Sequence, residues 1–287
     1  MIRKGVADVV EVGGSIGRNV KLRYTGKPRR PGIGHHFAGH GLAYWMCPLG
    51  MISLKNARFR IPIFILGSIG LALSGFAKKG EQPNIIYILA DDLGYGDLSV
   101  FGQEHFKTPN IDRIAKEGIR FTQHYSGSTV CAPSRSCLMT GLHTGHTPIR
   151  GNFEIQPEGQ SPLPDETVTI AELLKKEGYV TGAFGKWGLG FPGSEGDPVN
   201  QGFDSFFGYN CQRIAHNYYP FHVWDNENRV ILEGNKDRKE GVYAPELIQE
   251  KTLEFIELNR NKPFFCYVPH VIPHAELFAP ESYMERF

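Results

Sequence analysis

The hydrophobic pattern of this chain becomes regular from residue 83 onward. Residues 84–90 (NIIYILA) form an unbroken apolar run, which is typical of a strand buried on both faces of a sheet. Two later segments, residues 179–187 (YVTGAFGKW) and 263–270 (PFFCYVPH), have the same character. We therefore predict three buried strands, and we predict a further strand over residues 119–125 (IRFTQHY).

Amphipathic helices are predicted between these strands. In residues 107–118 (KTPNIDRIAKEG), apolar side chains share one face and Thr108 is the expected N-cap. Residues 166–178 (ETVTIAELLKKEG) repeat this arrangement with Thr167 as the expected cap. Residues 245–260 (PELIQEKTLEFIELNR) predict a third helix directly before the last strand.

Strands that alternate with amphipathic helices predict an α/β domain with a largely parallel central sheet flanked by helices. The alternation continues to the end of the chain without a linker or an internal repeat, so residues 78–287 are assigned to one domain. In such a sheet, polar residues that follow successive strands collect at the carboxyl edge, where open α/β sheets bind their ligands.

The N-terminal part of the chain has a different character. Residues 52–60 (ISLKNARFR) are basic, whereas residues 61–77 (IPIFILGSIGLALSGFA) are apolar and end in small residues, as a secretory signal does. We predict a signal peptide over residues 51–77 with cleavage after Ala77, because this apolar run is short for a membrane span. Residues 1–50 are then expected to be a non-native upstream extension. The mature protein is expected to be exported, periplasmic or extracellular, without stable membrane insertion.

Composition and charge narrow the function classes. The chain has 287 residues with 31 basic and 30 acidic side chains, so no excess of positive charge favours nucleic acid as a partner. Its five cysteines contain no C-x-x-C pair and no zinc-type spacing. These features are typical of a globular enzyme rather than a nucleic-acid-binding or zinc-stabilised domain.

Polar side chains follow three of the predicted strands. Asp91 and Asp92 come directly after the run at residues 84–90, and Lys186 lies near the end of the next buried strand. His274 follows the last one. A parallel sheet would gather these groups at one edge. Carboxylate oxygens without zinc-type ligands suit Ca²⁺ or Mg²⁺, so we predict a divalent-cation site at this edge.

Cys131 lies at the start of a predicted helix, in the segment STVCAPSRSCLMTG (residues 128–141). The residues alone leave four roles open for it: a thiol nucleophile, a metal ligand, half of a disulfide or a site of modification. The helix N-terminus is expected to aim N–H groups at an anion, and Arg135 adds a forked positive charge one turn later. With the cation and Lys186, this predicts a pocket for a tetrahedral oxyanion ester.

Five blocks of the sequence closely resemble successive blocks of the type I sulfatases, which are members of the alkaline-phosphatase-like superfamily. They read PNIIYILADDLGYGD, TPNIDRIAKEGIRFTQHY, CAPSRSCLMTGLHTGH, GKWGLG and PFFCYVPHVIPH. The resemblance runs from about Pro83 to the end of the chain, and its most specific part is the C-x-P-S-R motif that begins at Cys131. It implies an alkaline-phosphatase-like sandwich, C-terminally truncated, and hydrolysis of sulfate esters.

The resemblance also implies a role for each matched residue. Cys131 would be oxidised by a maturation enzyme to Cα-formylglycine, whose hydrate attacks sulfur, expels the alcohol and then eliminates sulfate. Asp91 and Asp92 match ligands of the family's Ca²⁺, and the modified Cys131 would also contact the metal. Arg135 matches the arginine that holds the hydrate, and Lys186 matches the lysine that contacts the sulfate.

The histidines are where this chain departs from the family pattern. His274 matches the histidine that binds sulfate or protonates the leaving alcohol. Many members read G-K-W-H-L-G, but position 188 here is Gly, so the histidine that contacts formylglycine and can serve as the base is absent. His143 and His146, in GLHTGH, are the natural candidates for its role.

A second departure concerns the strands that the family supplies beyond His274, which carry a metal-binding Asp-Asn pair and a further lysine. The chain ends at Phe287 without them. We therefore expect residues 78–287 to be the front part of a sulfatase. On their own they are expected to bind Ca²⁺ weakly, to expose an apolar sheet edge beside the strand at residues 263–270 and to show no useful turnover.

Substrate recognition is assigned to residues 202–224 (GFDSFFGYNCQRIAHNYYPFHVW), which are dense in aromatic side chains. The substrate is expected to be a sulfated sugar or an aryl sulfate. Arg213, His216 and Asn217 are predicted to bind the sugar, although the aromatic residues fit a simple core equally well. Two other functions stay open. One is a formylglycine-dependent phosphonate or phosphodiester hydrolase of the same superfamily, and the other is an inactive sulfatase-like fragment.

The signal-peptide assignment predicts where the exported protein begins. Expression in a secreting host should give a mature N-terminus at or near Lys78, and a gene that starts at Met51 should give the same product. N-terminal sequencing of the secreted protein measures this directly. A mature protein that begins at Met1 would contradict both the signal and the upstream extension.

Overall fold

The computed structural model describes residues 6–13, 82–274 and 277–285, which belong to one compact unit. The predicted signal peptide lies outside the described residues. Within the ranges that are described, no helix is both long enough and apolar enough to cross a membrane.

The structure contains a seven-stranded sheet and six helices among its described residues. The strands are β1 (Val6–Gly13), β2 (Asn84–Asp91), β3 (Val180–Lys186), β4 (Ser205–Tyr209), β5 (His222–Asp225), β6 (Asn228–Ile231) and β7 (Phe264–Pro269). The helices are α1 (Pro109–Glu117), α2 (Cys131–Thr140), α3 (Ile170–Lys176), α4 (Gln212–Ala215), α5 (Ala244–Asn259) and α6 (Glu281–Met284). Short 3₁₀ segments lie at Tyr95–Asp97, Ser99–Phe101 and Glu233–Arg238.

The strand order is β1-β2-β7-β3-β4-β5-β6. The first five strands in this order run parallel, and β5 and β6 form an antiparallel ribbon at the far edge. This confirms the predicted α/β fold with a largely parallel sheet. Because β2, β7 and β3 are adjacent and parallel, their carboxyl ends lie side by side, which is the arrangement that the candidate site requires.

Both faces of the central strands are buried. On β7, Phe265 and Tyr267 pack with Phe203 and Trp187 on one side of the sheet. The alternate β7 residues pack on the other side, where Phe255 of α5 closes the core. Burial of each large apolar side chain contributes roughly 1.5–3 kcal/mol, so these two layers fix the sheet between its helices.

Several predicted elements differ from the observed ones. Residues 119–125 form no strand, and Tyr125 is 63% exposed, since no neighbouring strand covers this segment. The cap of α3 is Thr169 rather than Thr167, because the Thr169 hydroxyl accepts from the N–H of Glu172 in a capping box. The Thr108 hydroxyl does not cap α1 but bonds the side chains of Ser99 and Asp112.

Strand β4 and most of β5 lie in the segment that was predicted to recognise substrate, and β6 follows it directly. Phe203, Phe206 and Phe207 are buried in it, so the core interpretation is correct for these three aromatic residues. Short strands of four or five residues with few consecutive apolar positions give little periodic signal, which is why the sequence did not predict them.

The expected apolar edge beside β7 is wrong. β7 pairs with β2 on one side and with β3 on the other, so it lies inside the sheet. The edge strand on this side of the described sheet is β1, which pairs in parallel with β2 from Val6 opposite Asn84 to Gly13 opposite Asp91. Thus β1 comes from the segment that was predicted to precede the signal peptide.

Close packing of the central strands depends on Gly185, whose φ of +138° is unfavourable for residues with a side chain. A Cβ at this position would lie 2.1 Å from the carbonyl oxygen of Pro269. We predict that Gly185→Ala destabilises the protein by about 2–5 kcal/mol, through backbone strain and overpacking. Urea denaturation measures this loss. Gly96→Ala, which meets no atom within 4 Å, should change stability by less than about 0.5 kcal/mol, and equal effects would contradict the packing argument.

Candidate active site

Three buried charged side chains meet at the carboxyl edge of the sheet. Asp91 ends β2, Lys186 ends β3, and Arg135 lies one turn into α2. The Lys186 Nζ is 2.6 Å from Asp91 Oδ2, and the Arg135 Nη2 is 3.3 Å from Asp91 Oδ1. Arg135 also donates from Nη1 to the carbonyl oxygen of Lys186. One carboxylate therefore bridges two buried cations.

The charges of this cluster leave a positive excess. Burial opposes ionisation of Asp91, but Arg135 and Lys186 outweigh it and hold the pKa of Asp91 below its ordinary value of 3.8. Within this buried cluster a single negative charge thus faces two positive ones, while the Asp92 carboxylate, which also lines the cleft, is partly exposed to solvent. In addition, the Arg135 Nε is buried without a partner among the described residues. A buried donor without an acceptor is costly, so the cluster is suited to binding a further anion.

Cys131 is the first residue of α2 and lies at the border of this cluster. Its Sγ is 3.4 Å from the Lys186 Nζ, and the side chain is partly exposed. The expectation that the helix N-terminus presents several N–H groups to an anion is wrong. The Ala132 N–H donates to Asn152 Oδ1 at 2.8 Å, and Pro133 has no N–H group. The positive charge of the pocket therefore comes mainly from side chains.

His274 reaches the same place from the loop after β7. Its Nε2 is 3.6 Å from Asp92 Oδ2, and its ring stacks on His216 with centroids 4.1 Å apart. Burial and the nearby Lys186 lower the pKa of His216 to about 4, so its ring is neutral at pH 7. The structure thus brings His216, predicted from the substrate segment, into contact with the catalytic candidates.

The residues present fit part of a divalent-cation site. Ligand atoms of Asp91, Cys131 and His274 lie within 4.8 Å of one another, and the Asp92 carboxylate is next in sequence. Asp92 has a φ of 64°, a left-handed turn directly after β2. Two adjacent carboxylates suit a hard cation, but Ca²⁺ usually takes six to eight oxygens. The described part of the chain therefore supplies some of the ligands of such a site and not a full set.

A cleft of about 30 Å³ lies against Cys131, Arg135 and both aspartates. Hydroxyl groups that were not predicted as site residues also line it, and they belong to Ser126, Ser128, Thr129 and Ser134. Three of them lie in the segment SGST (residues 126–129), just before Cys131. Their closeness to Cys131 in sequence was the signal that could have identified them. Hydroxyl donors at this position suit the oxygens of an anionic ester.

The two histidines that were predicted to replace the family histidine absent at position 188 lie away from the charged cluster. His143 and His146 follow the C-terminal end of α2, whereas Cys131 is at its N-terminus. A ten-residue helix is about 15 Å long, so α2 holds the two ends apart. The space beside Gly188 is instead taken by Gln212, since a Cβ at position 188 would lie 1.9 Å from the Gln212 Nε2.

The other substrate candidates lie next to α4. Arg213 is half-exposed and pairs with Glu154, whose carboxylate is 2.6 Å from the Arg213 Nε. Asn217 is exposed, and its Oδ1 accepts from the N–H of Tyr219. Glu154 was not predicted, because it lies in a polar loop far from Arg213 in sequence.

Fold and site together define an α/β protein with an anion pocket at the carboxyl edge of its sheet. The family model described as Sulfatase matches residues 83–287, and the chain belongs to this family. It is 44% identical over 244 residues to arylsulfatase A of Homo sapiens and 33% identical over 239 residues to N-acetylgalactosamine-6-sulfatase of Mus musculus. These alignments cover 76% and 77% of this chain but 46% and 45% of the relatives. The chain thus spans about half the length of the curated relatives it matches.

Solved structures of other proteins have the same fold. The crystal structure of Ps i-CgsB matches with a TM-score of 0.60 and 30% identity, covering 72% of this chain and 49% of that one. BT4656, solved with D-glucosamine-2-N,6-O-disulfate, matches with a TM-score of 0.57 and 31% identity, covering 72% and 38%. These neighbours confirm the predicted alkaline-phosphatase-like fold.

The bridging role of Asp91 predicts its effect on stability. Asp91→Asn should destabilise the folded protein by about 3–5 kcal/mol in the presence of a chelator, because it leaves Lys186 and Arg135 buried without a counter-charge. Since the pKa of Asp91 is lowered by folding, its contribution is complete above pH 3.8 and is lost as the pH falls below that value. Urea denaturation at pH 7 and at acid pH measures both effects.

Asp92→Asn is the matched control for this variant. The Asp92 side chain is 39% exposed, and asparagine is favoured at its left-handed φ, so the change should cost less than about 1 kcal/mol. Equal losses for the two variants would show that the buried charge bridge does not stabilise the fold.

Proposed function

We propose that this protein is a sulfuric ester hydrolase that acts on a sulfated carbohydrate and uses formylglycine formed from Cys131. The observation that carries the proposal is the position of the Cys131 side chain, within 3.4 Å of the Lys186 Nζ and beside a buried cluster with excess positive charge. A sulfate ester carries its negative charge on oxygens around one central atom, and such a cluster stabilises that charge.

The chain's own side chains have separate roles in this reaction. Lys186 and Arg135 bind and orient the sulfate, and they stabilise the charge that develops on its oxygens as the ester bond breaks. His274 donates a proton to the oxygen of the leaving alcohol. When Cys131 is modified and hydrated, the aldehyde supplies two hydroxyls on one carbon, which serve for attack and for release of sulfate.

Asp91 and Asp92 would hold the divalent cation, Ca²⁺ or Mg²⁺, together with the oxygens of the modified Cys131. The cation supplies further positive charge next to the reacting oxygens. In its presence, Asp91 would share its carboxylate between the metal and the two buried cations.

Relatives and neighbours support a sugar as the substrate. BT4656 was solved with D-glucosamine-2-N,6-O-disulfate, and a second structure of Ps i-CgsB contains k-i-k-neocarrahexaose. The curated relative from Mus musculus is an N-acetylgalactosamine-6-sulfatase. We therefore include sulfated amino sugars and sulfated carrageenan-type oligosaccharides in the proposed substrate class, with aryl sulfates as minimal substrates. We also propose that residues 51–77 direct export and that a formylglycine-generating maturation enzyme acts on Cys131.

The modification is tested by peptide mass spectrometry. Co-expression of the 287-residue chain with a formylglycine-generating enzyme should replace the thiol sulfur of Cys131 by an aldehyde oxygen, while Cys137 on the same helix stays unmodified. An unmodified Cys131 in a fully active protein would contradict the mechanism.

Turnover is measured with aryl sulfates, sulfated sugars and an aryl phosphate, on this chain and on any longer product of its reading frame. Hydrolysis of sulfate esters should fall by several orders of magnitude with a chelator and in Cys131→Ala, and should persist in Cys137→Ala. A preference for the phosphate ester would favour the phosphonate or phosphodiester hydrolase instead. Activity that survives Cys131→Ala would overturn the proposal.

A further inference from the structure

An exposed aromatic side chain and an exposed ion pair lie together beside the candidate site. Phe153 is 64% exposed, and its ring lies against Gly151. The next residue, Glu154, pairs with Arg213, whose side chain is 52% exposed. We call Phe153, Glu154 and Arg213 the sugar rim, and none of the three has a role in the reaction described above.

Two connections link the sugar rim to residues of the candidate site. On one side, Asn152 accepts from the N–H of Ala132, the residue after Cys131, and Glu154 lies only two residues further, or about 7 Å along an extended chain. On the other side, Arg213 lies one helical turn before His216, which stacks on His274. The rim is therefore tied to the nucleophile and to the proposed acid.

The loop that carries Phe153 and Glu154 is held in place. Its two arms are joined by backbone bonds from Ser161 to Phe153 and from Ile155 to Gly159. At its tip, Glu158 accepts from the indole N–H of Trp224 at 2.8 Å and pairs with His222 at 2.7 Å. Arg213 adds a bond from Nη2 to the carbonyl oxygen of Pro157. Such a fixed loop loses little entropy when a ligand binds.

The ion pair uses only part of its hydrogen-bonding capacity. Every contact to the Glu154 carboxylate from the described residues is made to Oε1, and Arg213 bonds through Nε and Nη2. Glu154 Oε2 and Arg213 Nη1 thus remain without a partner in the described chain. An acceptor and a donor side by side match two adjacent hydroxyls of a sugar, and the exposed ring of Phe153, the residue before Glu154, suits the apolar face of a sugar ring.

We propose that the sugar rim binds an uncharged sugar unit next to the sulfated one, and so makes the enzyme prefer sulfated oligosaccharides to small sulfate esters. Because Glu154 already neutralises Arg213, the rim suits neutral hydroxyls better than a second sulfate. This proposal rests on the proposed sulfatase function and deepens it by naming the part of the substrate that is read outside the pocket.

Binding and turnover together test the rim. Phe153→Ala, Glu154→Gln and Arg213→Ala should each weaken binding of a carrageenan-type hexasaccharide to the Cys131→Ser protein by about tenfold, as loss of one good contact does. Phe153→Tyr should restore binding, whereas Arg213→Lys should not, because a lysine lacks the second forked donor. In the active protein the same variants should raise KM for the hexasaccharide and leave hydrolysis of a small aryl sulfate unchanged within about twofold.

Two controls separate this role from a loss of folding. Phe106→Ala removes an exposed aromatic residue elsewhere, and Arg260→Ala breaks an exposed ion pair with Glu257 on α5. Neither should change hexasaccharide binding. If the rim variants bind the hexasaccharide as well as the parent does, the rim proposal is wrong while the sulfatase function stands. If neither this chain nor any longer product of its reading frame binds or hydrolyses a sulfate ester, the proposed function and the rim are overturned together.

Discussion

The structure around the pocket depends on one carboxylate that is shared by two buried cations. Asp91 contacts Lys186 and Arg135, and the three side chains come from β2, β3 and α2. Each cation alone would be too costly to bury, since removing a charge from water costs several kcal/mol unless it is paired. The bridge therefore fixes the relative positions of two strands and of the helix that carries Cys131.

The same bridge connects stability with ligand binding. Two positive charges against one negative charge leave the folded protein with an electrostatic cost that an anion in the cleft would relieve. A ligand that binds only the folded state also stabilises it in proportion to its affinity and concentration. An anion such as the sulfate group of the proposed substrate would thus complete the charge balance of the buried cluster that Asp91 alone does not reach.

The sequence predicted the parts of the fold that depend on long apolar runs and on their alternation with amphipathic helices. Asp91 and Lys186 follow strands with continuous apolar patterns, so their meeting at one sheet edge follows from the parallel topology. The strand expected at residues 119–125 did not form, because an apolar pattern cannot tell whether a neighbouring strand will cover it. The pairing of Glu154 with Arg213 was beyond prediction, since 59 positions separate them and only the folded loop brings them together.

The N-terminal strand and the predicted signal peptide cannot both belong to the same mature protein. Cleavage after Ala77 would remove β1 and leave eight residues of β2 with an unpaired edge, although β2 carries Asp91. An open edge of this length favours pairing with another strand. A parallel partner needs a long crossover connection or a separate chain, so it cannot come from a short hairpin beside β2. If β1 covers β2 in the mature protein, the N-terminus is retained; if the N-terminus is cleaved, another parallel strand must cover β2. Either way, the covering strand lies next to the strand that carries Asp91 of the charge bridge.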